Sequence, residues 1–119
     1  MAVRIVTDSS ADLPQAIAKQ WNITVLPCYV IIDDKPYRDG VDLPPDAFYQ
    51  TLTTNSQFPS TAPPSVSDFQ TVYKELLDQG LDIVSIHISS KLSGTINSAE
   101  QARATLGENA ASRLQICLL

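Results

Sequence analysis

The sequence predicts an α/β fold in which a mainly parallel sheet is flanked by helices. Two observations carry that reading. Strand-like and helical patterns alternate along the chain, and that order produces layered α/β folds with right-handed crossovers. The strand-like run Val3–Thr7 is β-branched and mostly apolar on both faces, as in a buried parallel strand, and Ile83–Ile88 is a further strong strand. The length of 119 residues fits one domain, and 44% hydrophobic against 18% charged residues supports a core rather than disorder.

After the first strand, Asp12 stands two residues before Pro14 in the position of a helix N-cap, with Gln15 placed to bond back, and a short helix runs to about Trp21. Ile23–Ile32 is a second β-rich run. Pro27 interrupts it and lacks a ladder donor, so this strand is expected at an edge or bent. Asp33-Asp34-Lys35 is turn chemistry that folds Tyr37 back as a hairpin. Asp42 caps a helix with Pro44 and Pro45 in its first turn and Ala47, Phe48 and Leu52 on its apolar side. Gln57–Ser65 carries three of the eight prolines and is expected to be extended and stiff. Ser65, with Asp68 three residues on, opens a helix whose stripe is Val66, Phe69, Val72, Tyr73, Leu76 and Leu77, ended by Gly80 in a left-handed cap. Ser89–Thr95 is a small, hydroxyl-rich turn leading into a helix that ends near Leu106 and Gly107. Arg113–Leu119 is strand-like, and its apolar Leu114, Ile116, Leu118 and Leu119 have no later element to cover them, so the chain reads as cut off.

Charge and cysteine usage narrow the function. A net charge of −5 disfavours nucleic-acid and anionic-membrane partners. No apolar run reaches the roughly 20 residues of a membrane span. Cys28 and Cys117 lack metal-ligand spacing and read as buried thiols of a cytoplasmic protein. Trp21 and the four tyrosines read as core or rim packing.

Three stretches are candidate binding loops. Ile88-Ser89-Ser90-Lys91-Leu92-Ser93-Gly94-Thr95 lies at the carboxyl end of a strand and opens a helix, where open α/β sheets bind ligands and free amides favour anions. Gly94 permits close approach, and Ser93 and Thr95 offer hydroxyls; an ordinary serine-capped turn has the same composition. Ser60-Thr61-Ala62-Pro63-Pro64-Ser65 holds its hydroxyls on a proline-stiffened backbone, or is a rigid loop with a cap residue. Asp8, Ser9 and Ser10 follow the first strand at the same sheet edge, where Asp8 is a pocket residue, a metal ligand or a turn former. Catalytic templates are missing: there is no nucleophile elbow and no phosphate loop. His87, the only histidine, falls inside a strand, where a satisfied sheet histidine is the ordinary reading and a general base the alternative. Hydroxyl-rich loops without an adjacent base bind better than they catalyse, so no catalytic residue, metal or cofactor is expected.

The run Ile5-Val6-Thr7-Asp8-Ser9-Ser10-Ala11-Asp12-Leu13-Pro14 resembles the opening motif of the DegV proteins, the bacterial fatty-acid-binding family. The order of later motifs is similar too: Ile-x-Val-Leu-Pro at 23–27, Asp39-Gly40, Pro59-Ser60-Thr61 with Pro64-Ser65, and Ser89-Ser90-Lys91-Leu92-Ser93-Gly94-Thr95 with Asn97-Ser98-Ala99. The resemblance covers essentially the whole chain and implies a DegV-like N-terminal α/β domain over residues 1–119. A long-chain, palmitate-like fatty acid lies between that half and a C-terminal one in the family. Thr61 and Ser93 match the positions that hold the carboxylate through hydroxyls, with Asp8, Ser9, Ser60, Gly94 and Thr95 as further pocket residues. Some members pass the acid to a fatty acid kinase, which phosphorylates it; the binding protein is not itself an enzyme. The chain departs from the family at Ala62 and Pro63, where Ser and Gln are usual, and at Ile96, where an aromatic is common. Members are also more than twice as long, so the lipid-covering half is expected to be absent here. With about 0.8 kcal/mol per buried methylene, sixteen carbons contribute about 12 kcal/mol gross. Losing half of that lowers affinity by roughly four decades, so weak or undetectable binding is expected of this chain alone. Two other readings are a self-associating homodimer of structural half-domains, and a hydroxyl-based hydrolase of acyl or phosphate esters using His87 or Lys91 as base beside Ser93.

Overall fold

Two sheets organise the described residues. The structure, a computed structural model, describes residues 2–11, 13–32, 35–38, 41, 60–87 and 94–118. The first sheet holds β1 (Val3–Asp8), β2 (Thr24–Leu26), β6 (Asp82–His87) and β7 (Leu114–Leu118) in the order β2-β1-β6-β7, every pair parallel. The second is antiparallel, in the order β4-β3-β5, from β3 (Tyr29–Ile32), β4 (Lys35–Arg38) and β5 (Ser60–Ala62). The described helices are α1 (Gln15–Gln20), α2 (Val66–Asp78), α3 (Thr95–Ala104) and the short α4 (Glu108–Ala111).

The core follows from strand alternation. In the β1–β6 register Arg4 faces Ile83 and Val6 faces Ser85, so alternate residues line one face of the sheet. Val6, Leu26, Ile83 and Leu114 pack there against Phe69, Tyr73, Leu76 and Leu77 of α2 and Ala99 and Ala102 of α3. The α2 start is a complete capping box: the Ser65 hydroxyl accepts from Asp68 N–H and the Asp68 carboxylate accepts from Ser65 N–H, both at 3.0 Å. Gly80 follows the helix at φ 82°, the conformation in which glycine is least strained.

Several expectations change. Val3 and Ile5 lie on the opposite face of β1 and are 57% and 39% exposed, so β1 is not buried on both sides. The 23–32 run is two strands in two sheets, because Pro27 ends the parallel ladder and Tyr29 begins the antiparallel one. The hairpin partner of Tyr37 is Val30. α1 opens at Gln15 with Pro14 preceding it and no side-chain cap. It closes through Asn22 at φ 54°, a conformation asparagine tolerates, with Ile23 N–H bonding to Ala18 C=O at 2.8 Å. Trp21 is 70% exposed rather than packed in a core. Both cysteines are free thiols and half-buried, not fully buried. The Asp12 cap, the Asp33-Asp34 turn, the Asp42 helix with Pro44, Pro45, Ala47, Phe48 and Leu52, and the motif residues Ile88 to Ser93 lie outside the described residues.

Candidate functional site

The carboxyl ends of β1, β2 and β6 converge on Asp8. Its carboxylate takes three segments at once. Oδ1 accepts from Ser10 N–H at 2.9 Å and from the Ser10 hydroxyl, and the Cys28 thiol lies 3.6 Å away. Oδ2 lies 2.6 Å from His87 Nδ1. The chain continues inward: His87 Nε2 is 2.5 Å from Ser85 Oγ, which is 2.6 Å from the Tyr73 hydroxyl. Phe69 meets the His87 ring edge-on at 5.3 Å between centroids.

One proton arrangement satisfies every buried group. Tyr73 O–H donates to Ser85, Ser85 O–H donates to His87 Nε2, and His87 Nδ1–H donates to Asp8. Each of these donors then has an acceptor, so no buried hydroxyl or ring nitrogen of the chain is stranded. Burial works to raise the Asp8 carboxyl, but the bonds from His87 and Ser10 outweigh it and hold the group below its ordinary 3.8. Burial likewise raises the Tyr73 phenol well above its ordinary value, against the Ser85 bond. For the Cys28 thiol, burial and then the Asp8 charge outweigh the bond to Ser9 and push its pKa up.

This cluster is a scaffold with no free face. Asp8 and His87 are each 1% exposed and Ser85 is 0% exposed. Both nitrogens of His87 are engaged inside the core, so it is not placed as a base for a surface hydroxyl. Ser9 is also built in: its Oγ accepts from Cys28 N–H at 2.9 Å, fixing the connection between the two sheets. The spacing of Ser85 and His87, two residues apart on one face of a buried strand, was the available sequence signal for this chain; its partners Asp8 and Tyr73 come from distant segments.

The ligand-facing candidates lie elsewhere. Ser60 and Thr61 are exposed on β5, where Thr61 pairs with Val30 and Ala62 with Tyr29. Gly94 is half-buried and precedes α3, whose first residue, Thr95, is fully buried. A methyl group added to Gly94 would lie 3.4 Å from Pro63 Cγ, so the proline strap after Thr61 packs against the α3 start. The fold thus brings the Thr61 segment and a helix N-terminus side by side. That terminus presents backbone amides and a partial positive charge suited to a carboxylate or phosphate. Ser93, one residue before Gly94, lies outside the described residues. Among the described residues no group of three or more His, Cys, Asp or Glu side chains is placed to hold a metal ion, and no helix is long and apolar enough to cross a membrane.

Comparison with known proteins gives a consistent result. The family model described as "Uncharacterised protein, DegV family" matches residues 2–115. A DegV domain-containing protein of Listeria monocytogenes is 38% identical over 100 residues, covering 84% of this chain and 36% of that protein. A solved DegV family protein from Thermus thermophilus, described by its fatty acid binding, is 35% identical with a TM-score of 0.82, over 100% of this chain and 40% of that one. A stearic-acid-binding protein from Eubacterium ventriosum is 33% identical with a TM-score of 0.86, over 100% of this chain and 41% of that one. This chain therefore spans about two-fifths of the length of the relatives it matches. With a family model matched over nearly its whole length, and the four-stranded parallel sheet and its helices shared with these structures, the chain belongs to the DegV family.

Proposed function

We propose that this chain forms the head-group side of a fatty-acid-binding protein, and that Thr61 and Ser93 hold the acid's carboxylate through their hydroxyls beside the α3 N-terminus. The observation that carries the reading is the packing of Pro63 against the Gly94 position, which sets the Thr61 strap next to that terminus. The solved relatives described with bound fatty acid support the ligand class. Thr61 and Ser93 are neutral side chains. The carboxylate charge is balanced by donated hydrogen bonds, each worth about 1.5–3 kcal/mol when one partner is ionised. A longer protein supplies the remaining wall of the tail channel, and most of the affinity resides there because tail burial scales with each methylene. The bound acid is then presented to a fatty acid kinase, and the chemistry belongs to that partner.

A titration with a saturated C16 acid tests the head-group assignment. Thr61→Ala and Ser93→Ala are each expected to weaken binding by roughly tenfold or more, the equivalent of one charge-assisted bond. Lys74→Ala, at an exposed position of α2, is expected to leave it unchanged. Equal affinity in all of these contradicts the assignment.

A second reading rests on exposed apolar area. Val3 and Ile5 leave one face of the parallel sheet open, which suits self-association of this chain into a dimer. Light scattering showing a monomer at high concentration contradicts it.

A further inference from the structure

The strap that follows Thr61 is tied at both ends through one carboxylate. Asp68 Oδ2 accepts from the Tyr29 hydroxyl at 2.8 Å and from Ser65 N–H at 3.0 Å. Tyr29 belongs to β3 and is the backbone partner of Ala62 in β5, and Ser65 caps α2. Between these two anchors run Ala62, Pro63, Pro64 and Ser65. Both prolines fix φ near −65°, and Pro64 is fully buried, so little freedom remains between the anchors. The strap is therefore stiff in itself and tied at Asp68 to the antiparallel sheet on one side and to α2 on the other. Burial of Asp68 is outweighed by the Ser65 amide, the Tyr29 hydroxyl and the Arg38 charge, which keep its carboxyl below the ordinary value and ionised at neutral pH. Capping α2 needs only the Ser65–Asp68 pair; the Tyr29 bond adds nothing to the cap and joins the second sheet to it.

We propose that Tyr29 and Asp68 are positioning residues that clamp the Thr61 strap, fixing the hydroxyl against the α3 N-terminus so that the site prefers a carboxylate over a neutral head group. The proposal rests on the assignment of Thr61 to the head group. Neither Tyr29 nor Asp68 contacts the ligand; they act through the strap. A hydroxyl held in place donates to an anion without first being ordered, whereas a loose strap has to be fixed on binding, and that cost falls on the head-group contact and not on the tail.

The test compares octanoate with its neutral isostere octanamide, titrated into the 119-residue chain and followed by backbone amide shifts. The unmodified chain is expected to bind octanoate weakly and to prefer it to octanamide, and the absence of any saturable octanoate shift overturns the proposal. Tyr29→Phe removes one hydroxyl and is expected to lower octanoate affinity roughly three- to tenfold while leaving octanamide unchanged, and to add nothing in a Thr61→Ala background. A merely structural role would move both ligands together, and that result overturns the clamp. If Thr61→Ala abolishes the octanoate preference but Tyr29→Phe leaves it intact, the clamp falls and the head-group assignment stands. If Thr61→Ala leaves the preference untouched, the assignment falls and takes the clamp with it. A second readout needs no ligand. In Tyr29→Phe and in Asp68→Ala, nitrogen-15 relaxation at Thr61 and Ala62 is expected to report loss of backbone order, and unchanged order in Tyr29→Phe overturns the clamp.

Discussion

His87 donates from Nδ1 to Asp8 Oδ2 across 2.6 Å, joining two strands whose residues stand 79 apart in sequence. That bond sits where β1 and β6 end. It makes the sheet's carboxyl edge a polar, fully bonded core instead of an apolar one. Buried polar chains of this kind are costly when broken, because each lost partner strands another group.

Breaking the chain at its two ends should have unequal effects. Asp8→Ala leaves His87 without its anionic partner, and about 3–5 kcal/mol of stability is expected to be lost. Tyr73→Phe removes a terminal donor whose loss leaves Ser85 still bonded to His87, and about 1–2 kcal/mol is expected. Urea denaturation of both variants measures the difference. Equal losses would contradict the directed chain.

Acid should weaken the fold through Asp8 and Asp68. Both carboxyls lie below their ordinary 3.8 in the folded chain, so the unfolded chain binds protons first as pH falls. The stability they contribute is fully present above the unfolded value and is lost as pH drops through the folded values. Melting temperature is expected to be flat through neutral pH and to fall below about pH 4, with a shallower slope in Asp68→Asn.

The Cys28 thiol should react slowly. Its pKa is raised above 9.0 by burial and by the Asp8 charge, so little thiolate exists at neutral pH. Alkylation at Cys28, followed by mass spectrometry of peptides, is expected to lag behind a free thiol at pH 7.5 and to accelerate only above pH 9. Rapid labelling at neutral pH would contradict the burial and the neighbouring Asp8 charge that keep the thiol protonated.

Two glycines should respond differently to alanine. Gly80 has φ 82°, which alanine adopts only at a cost of roughly 1–2 kcal/mol. Gly94 has φ −81°, and its added methyl would make an ordinary contact with Pro63. Gly94→Ala is therefore expected to fold with near-normal stability while Gly80→Ala melts lower.

What was legible in the sequence was local. The capping box of Ser65 and Asp68, the α2 stripe, the Gly80 cap and the strands around Val6 and Ile83 each follow from residues within one turn or one pleat. What escaped was non-local. Pro27 announced a break, but nothing local said that Tyr29 would leave the parallel sheet and pair with Ala62, 33 residues on. The Asp8–His87–Ser85–Tyr73 chain needs α2 laid across β6 before its members meet. Trp21 misled for a related reason: a large aromatic predicts burial on average, yet it falls at the end of a six-residue helix with little to cover it. The hydroxyls at Ser60 and Thr61 were visible as residues, while the approach of Pro63 in the same segment to the α3 start at Gly94 was not.

The central claim is that hydroxyls of this chain hold a carboxylate. The direct measurement is the carbon-13 resonance of octanoate labelled at its carboxyl carbon, titrated with the unmodified chain, Thr61→Ala and Ser93→Ala. A small but saturable shift, as weak binding gives, that is lost in both variants while backbone spectra stay folded is the expected result, and no shift with the unmodified chain contradicts the account. A shift that survives both substitutions would mean the carboxylate is held elsewhere, and would contradict the account.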